Sequence, residues 1–291
     1  MNSWKGPGST TKLCCLIGYP VTLSPSPMMH NAAFHSLGIN AVYLAFGVPE
    51  RELSNAIRGL RALEFLGANI TMPHKQSVMK LLNKIDAGAE RVNAVNTILN
   101  KNGELAGFNT DVEGFASPLR RRARISDLTA MIVGAGGAAR ACAFALAESG
   151  CKKISILNRA VSKAEELVSI LKKESEVNSK AEHLSEKSFT SAVRRHNLIV
   201  NATPLGMHEK WFKLSLQKAK LEGDTIAYDL VYRPLKTDFL LAFEKLGALC
   251  IPGYEMLVEQ AALSFEIWTG RRAPKKIMTE AALESLEANR K

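Results

Sequence analysis

The chain has 291 residues, 46% of them hydrophobic and 7% aromatic, and 38 Lys+Arg against 28 Asp+Glu leave a formal charge of +10. This is ordinary globular composition, which excludes a disordered, collagen-like or disulfide-stapled chain, and the length predicts two domains with a core each. The charge calls for an anionic partner, and nucleic acid, an anionic membrane surface and a negatively charged small molecule all satisfy it. The cysteines, Cys14, Cys15, Cys142, Cys151 and Cys250, are odd in number and form no C-x-x-C pair. They read as small hydrophobes in a reducing compartment rather than as a disulfide or zinc framework. No apolar run approaches the roughly 18 residues that a membrane span needs. The polar N-terminal segment MNSWKGPGSTTK has no apolar core for a signal peptide and reads as a loose tail. The expectation is a cytoplasmic protein.

In chain order, Leu13 to Ile17 reads as a strand, 28–37 as a helix, Val42 to Phe46 as a strand and 50–62 as a helix. Gly67 to Thr71 is a further strand, with Pro73 opening a helix through Leu82. That alternation predicts a mainly parallel sheet. Residues 93–107 read as a hairpin turning at Asn102-Gly103. The polar, basic stretch 117–127 is the expected junction. Beyond it come strand Ala130 to Val133, a glycine-rich turn and a small-residue helix. The strand KKISILNR and the helix Lys163 to Lys173 follow, then a polar stretch over 174–192. HNLIVNAT, TIAYDLVY and GALCIPG are later strand candidates, with Leu235 to Leu246 helical between the last two. From Tyr254 the pattern is helical to the end.

The strongest local motif is Gly134-Ala135-Gly136-Gly137-Ala138-Ala139, set between a strand and a helix as a dinucleotide fingerprint requires. Gly134 allows the tight turn, Gly136 lets backbone N–H groups approach a pyrophosphate, and Ala139 lets helix and strand pack closely. The helix N-terminus then faces the diphosphate with its partial positive charge. At the end of the next strand, an acidic residue would bind the ribose hydroxyls of NAD. Here stand Asn158 and Arg159, with Lys163 a helical turn further on. A guanidinium and an ammonium suit a 2′-phosphate, so NADP is favoured and NAD less so. In the N-terminal half, Asn69-Ile70-Thr71-Met72-Pro73-His74-Lys75 places polar groups at a strand's C-terminal end, where open α/β sheets bind ligands. Amides, hydroxyls and a carboxylate gather again in Asn93-Ala94-Val95-Asn96-Thr97 and Gly107-Phe108-Asn109-Thr110-Asp111. His74 has no second ligand at metal-binding spacing, so it reads as a bystander and no metal is expected.

These blocks resemble the shikimate dehydrogenase family, including its quinate/shikimate branch. So do Gly18-Tyr19-Pro20, Ser24-Pro25-Ser26-Pro27, Asn201-Ala202-Thr203-Pro204-Leu205-Gly206-Met207, Asp229 to Pro234, and Gly253 to Gln260. The likeness spans nearly the whole chain beyond residue 12. It implies NADP-linked, reversible reduction of 3-dehydroshikimate to shikimate, with Lys75 and Asp111 as the catalytic pair. It places Ser24 and Ser26 on the substrate carboxylate, assisted by Tyr232. Asn69, Thr71, Asn96, Asp111 and Gln260 would meet the ring hydroxyls. Asn201, Thr203, Gly206, Met207 and Gly253 would lie on the cofactor side. The implied fold is α/β: an N-terminal substrate-binding domain with a mainly parallel sheet, a Rossmann-type doubly wound NADP domain, and C-terminal helices returning to the first. The expected ranges are 1–114 with 253–291 for the substrate domain and 115–252 for the cofactor domain.

Leu23, Pro25 and Asn93 depart from the family pattern and bear on substrate preference more than on reaction type. A quinate/shikimate dehydrogenase, or a paralogue using NAD on a related cyclic hydroxy acid, is the alternative. A nucleic-acid-binding reading fares worse, because Arg120-Arg121-Arg122, Arg194-Arg195, Arg271-Arg272 and Lys275-Lys276 are scattered and aromatics are few. A non-catalytic sensor would show damage at Lys75 or Asp111, and both are present. The expected partner is thus a small-molecule substrate, with neither nucleic acid nor membrane, and the enzyme is expected to be a monomer or homodimer.

Overall fold

The computed structural model describes residues 6–206, 221 and 224–288. The chain divides into two compact units, residues 1–110 with 258–291, and residues 111–257.

The first unit begins with β1 (Lys12–Gly18), α1 (Ser26–Ser36), β2 (Ala41–Gly47), α2 (Leu53–Ala62) and β3 (Gly67–Ile70). It continues with β4 (Lys84–Ile85), α3 (Ala87–Val92), β5 (Thr97–Lys101) and β6 (Glu104–Phe108). Its six-stranded sheet has the order β2-β1-β3-β5-β6-β4. β1 is parallel to β2 and β3, while β5 and β6 form an antiparallel hairpin in which β5 runs antiparallel to β3 and β6 runs parallel to β4. Central β1 is buried from Cys14 to Ile17, which is why its sequence is a continuous apolar run rather than an alternating one. Cys15, Ile57, Leu60, Ile70, Val95 and Ile98 form the heart of one core cluster. Helix α1 is fastened to β2 by Asn31, whose Nδ2 donates to the Tyr43 carbonyl at 2.9 Å and whose Oδ1 accepts from the Tyr43 N–H at 2.7 Å.

The second unit holds α4 (Asp111–Arg120), β7 (Thr129–Val133), α5 (Gly137–Glu148), β8 (Lys153–Asn158), α6 (Val161–Glu174), β9 (Asn178–His183) and α7 (Glu186–Val193). After these come β10 (Leu198–Asn201), β11 (Ile226–Asp229), α8 (Asp238–Glu244) and β12 (Leu249–Ile251). Its six described strands run β12-β11-β10-β7-β8-β9, all parallel. Counted within this unit, the order is 3-2-1-4-5-6 read from β9, the doubly wound nucleotide-binding arrangement, with its switch point between β7 and β10. Alanines and other small residues let α5 bury nearly its whole length, from Ala139 to Leu146, against its neighbours.

α9 (Gly253–Thr269) starts in the second unit and continues into the first, followed by α10 (Lys275–Ala288). The C-terminal helices thus return to the N-terminal sheet: Trp268 Nε1 donates to the Ile98 carbonyl of β5 at 2.9 Å. No helix of the described residues is long and apolar enough to cross a membrane.

Some element expectations need correction. The helix expected from Pro73 to Leu82 is instead an irregular loop followed by a short 3-10 turn, Ser77–Leu81. In an α-helix the Lys75 carbonyl would accept from Met79. Here it accepts from the Val95 N–H at 2.8 Å, and Met79 turns to Gln76. The polar stretch 174–192 contains β9 and α7. Strand β9 pairs with β8 alone, so it tolerates polar side chains. Ser185 and Ser188 form a reciprocal capping box that starts α7. The C-terminal helical region breaks between Thr269 and Lys275, where Gly270 takes a φ of +64° and Pro274 precedes the second helix.

Candidate active site

In the first unit, the loop after β3 is held from several sides. The Thr71 N–H donates to the Ile17 carbonyl at 2.9 Å, and the Tyr19 N–H donates to the Met72 carbonyl at 3.0 Å. Thr71 lies so close to Gly18 that a Cβ there would stand 2.1 Å from its Cγ2, so only glycine lets the two loops meet. His74, read from sequence as a bystander, is fully buried, and its Nε2 lies 2.6 Å from the Val48 carbonyl. A carbonyl only accepts, so Nε2 carries the proton and the ring anchors the loop one residue before Lys75. Lys75 is half-buried, with its backbone tied to Val95.

Ser24 and Ser26 come together at the start of α1. Ser24 Oγ donates to Ser26 Oγ at 3.1 Å and accepts from the Ser26 N–H at 3.3 Å. The exposed side chains of Leu23 and Met28 flank them in sequence. Asn69, Asn96 and Gln260 also meet in this unit. Asn96 Nδ2 donates to Thr110 Oγ1 at 2.8 Å and to Gln260 Oε1 at 3.4 Å. Asn69 is 6% exposed, and its amide bonds to Tyr43, Thr97, Ser264 and the Asn96 carbonyl. Thr97 and Thr110, which lie in the polar blocks singled out from sequence but are given no role there, belong to this cluster, as do Tyr43 and Ser264, which are not picked out. A strand position made Tyr43, and an apolar helix pattern made Ser264, look like ordinary core.

In the second unit, Asp111 opens α4 and is 4% exposed. The glycine motif sits at the switch point. Gly134 has a φ of +114°, and a Cβ there would come within 2.9 Å of the Ala202 carbonyl and 3.0 Å of Thr203 Cγ2. Only glycine fits such a turn. A Cβ at Gly136 would meet nothing within 4 Å. The backbone there is open ahead of the first turn of α5, whose leading N–H groups have no partner within the helix. Ala135 and Ala139 are buried, while Gly137 and Ala138 are half-buried. At the end of β8, Asn158 Nδ2 donates to the Ala160 carbonyl at 2.9 Å. Arg159 and Lys163 are exposed, and neither side chain makes an ion pair or hydrogen bond among the described residues.

Asn201 ends β10 with no exposed surface. Its Oδ1 accepts from the Thr203 N–H and hydroxyl, at 3.1 and 2.7 Å, and its Nδ2 donates to the Leu205 carbonyl and Asp229 Oδ1. It therefore shapes the 201–206 loop, which carries Thr203 against Gly134 and ends at Gly206 with a φ of +97°. Met207 lies outside the described residues. Burial pushes the Tyr232 phenol above its ordinary value, keeping it a neutral O–H donor. Gly253 is buried where a Cβ would strike the Leu230 carbonyl at 2.6 Å.

Comparison with known proteins settles the lineage. Family models match in succession: "Shikimate dehydrogenase substrate binding domain" over residues 16–98, "Shikimate / quinate 5-dehydrogenase" over 119–209, and "Shikimate 5'-dehydrogenase C-terminal domain" over 253–283. A curated shikimate dehydrogenase (NADP(+)) from Methanopyrus kandleri is 45% identical over 279 residues, 95% of this chain and 96% of its own. The chain belongs to the shikimate dehydrogenase family. Among solved structures, a shikimate dehydrogenase in complex with NADP+ is similar at a TM-score of 0.86 and 39% identity, covering 97% of this chain and 98% of its own. The Thermus thermophilus enzyme in complex with NADP(H) and shikimate gives a TM-score of 0.84 at 34% identity, over 95% of this chain and 100% of its own.

Proposed function

We propose that this chain is an NADP-dependent shikimate dehydrogenase that reversibly reduces 3-dehydroshikimate to shikimate. One observation carries the reading: a relative with that name and cofactor aligns with 95% of the chain at 45% identity. The residues are suited to the chemistry. When NADPH is bound, it supplies the hydride. As the ketone oxygen gains charge, the Lys75 ammonium donates the proton, and Asp111 orients that ammonium. Ser24 and Ser26 hold the substrate carboxylate with Tyr232 assisting, while Thr71, Asn96 and Gln260 read the ring hydroxyls. The first compact unit is the substrate domain and the second the NADP domain. The Gly134–Ala139 turn receives the diphosphate, Asn158, Arg159 and Lys163 receive the 2′-phosphate, and Thr203 with its loop lies on the nicotinamide side. A cytoplasmic enzyme, monomeric or homodimeric, is consistent with the buried free thiols of Cys14, Cys15, Cys142 and Cys151.

The test is an absorbance assay at about 340 nm, the reduced nicotinamide band. Shikimate and quinate are each offered with NADP and with NAD. Shikimate with NADP is expected to be the fastest pair. Failure to turn over shikimate with either cofactor overturns the proposal, and faster turnover of quinate transfers the chain to the other branch of the family.

A further inference from the structure

We propose that Ser264 and Asn69 are positioning residues that fix the Asn96 amide and through it which end of Gln260 is turned to the substrate, an inference that rests on the function proposed above. Ser264 lies on α9 one turn beyond Gln260 and has no exposed surface. Its hydroxyl lies 2.7 Å from Thr97 Oγ1, 3.3 Å from Thr110 Oγ1 and 3.0 Å from the Gln260 carbonyl, and it accepts from Asn69 Nδ2 at 2.9 Å. One buried hydroxyl thus ties the returning helix to β3, β5 and the end of the first unit.

The amides around it have fixed polarity. The Asn96 backbone carbonyl only accepts, so the Asn69 atom facing it at 3.2 Å is Nδ2. Tyr43 then donates to Asn69 Oδ1 at 2.8 Å. Both ends of Asn69 are engaged inside the protein, so its part in recognition passes through its neighbours. The Thr110 backbone N–H only donates, so the Asn96 atom it meets at 2.8 Å is Oδ1. Asn96 Nδ2 donates to Thr110 Oγ1 at 2.8 Å and to Gln260 Oε1 at 3.4 Å, so Asn96 is engaged at both ends as well, and the donor end of Gln260, Nε2, is turned to the other side of its amide. Reversing either amide would exchange a donor for an acceptor. A site that reads hydroxyls is sensitive to that exchange, because the mismatched groups are left unpaired.

The experiment is a double-mutant cycle on the whole enzyme with Ser264→Ala, Gln260→Ala and the pair, reading kcat and the KM for shikimate and for NADP separately. Ser264→Ala is expected to raise the shikimate KM about fivefold, the scale of one neutral hydrogen bond. The NADP KM should not change. In the Gln260→Ala background the same substitution should add less than about twofold, because its effect runs through that amide. Thr97→Val, which removes the hydroxyl facing Ser264, is held to the same cycle and serves in its place if Ser264→Ala does not fold. An unchanged shikimate KM, an equal rise for both ligands, or the full effect in the Gln260→Ala background overturns the role while leaving the functional reading intact. A wild-type enzyme with no shikimate turnover overturns both.

Discussion

At the residue scale, the reaction requires a proton donor whose removal stops chemistry without unfolding the protein. The proposed mechanism gives that part to Lys75. Its loop is held by backbone bonds and by the His74 ring, none of which uses the lysine side chain. Lys75→Ala should lower turnover by about two to four orders of magnitude, the range of general acid catalysis, with an unchanged circular dichroism spectrum. Retention of most activity would remove Lys75 from the mechanism. For Arg159, an exposed guanidinium without a partner among the described residues has little structural work to lose. Arg159→Ala should raise the KM for NADP by roughly tenfold, one lost charge-assisted contact, and barely change that for NAD. Equal effects on both cofactors would remove the 2′-phosphate assignment. Both residues stand out in the sequence because their chemistry is carried by the residue type. Ser264 and Tyr43 do not stand out, since a hydroxyl in an apolar element gains meaning only from atoms brought beside it by folding.

At the element scale, the end of β11 shows how a buried charge can be built into a strand–helix connection. Asp229 has no exposed surface and accepts from Asn201 Nδ2, the Val231 N–H and, at 2.5 Å, the Thr237 hydroxyl. Thr237 in turn caps α8 by accepting from the Leu240 N–H. Burial outweighs these donors and raises the carboxyl from 3.8 to about 7. The native state therefore binds this proton more tightly than the unfolded chain. The associated stability is full below pH 3.8 and is lost as pH rises through about 7. Asp229→Asn cannot ionise, and whatever hydrogen bond it forfeits is forfeited at every pH. Thermal melts should show wild type losing ground to the variant as pH rises from about 4 to about 8. A widening wild-type advantage over that interval would mean the carboxylate is ionised and stabilising. β1 and α5 were legible in the sequence because burial on all sides leaves an unbroken apolar run in one and a small-residue helix after the glycine turn in the other. The 73–82 segment was not, because the Val95 N–H that diverts the Lys75 carbonyl lies far along the chain. Strand β9 was missed because an edge position removes the apolar signal.

At the scale of the whole molecule, the chain leaves its first compact unit at residue 110 and re-enters it at residue 258. The Gly134 motif and the polar blocks near Asn69 and Asn96 already pointed to distinct sites in sequence. The return of α9 was expected from the family resemblance, which sets Gln260 among the substrate-binding residues. With each ligand assigned mainly to one unit, protection should separate along the chain. A ligand that binds the native state at 100 times its dissociation constant stabilises it by about 2.7 kcal/mol. Amides whose exchange requires the bound region to open should slow accordingly. In hydrogen exchange, NADP should protect the peptide spanning Gly134–Ala139 and the segment from Asn158 to Lys163. It should leave the β5–β6 hairpin, Thr97–Lys101 with Glu104–Phe108, near its rate in the free protein. Shikimate alone should protect the start of α1 around Ser26 and the stretch of α9 from Gln260 to Ser264, sparing β8 and α6. NADP protection confined to the first unit would reverse the domain assignment, whatever the sheet order suggests. The same map tests the wide-spaced charge: if the remaining basic residues are ordinary solvated surface, the peptides carrying Arg194-Arg195 and Lys275-Lys276 should exchange equally fast with and without either ligand.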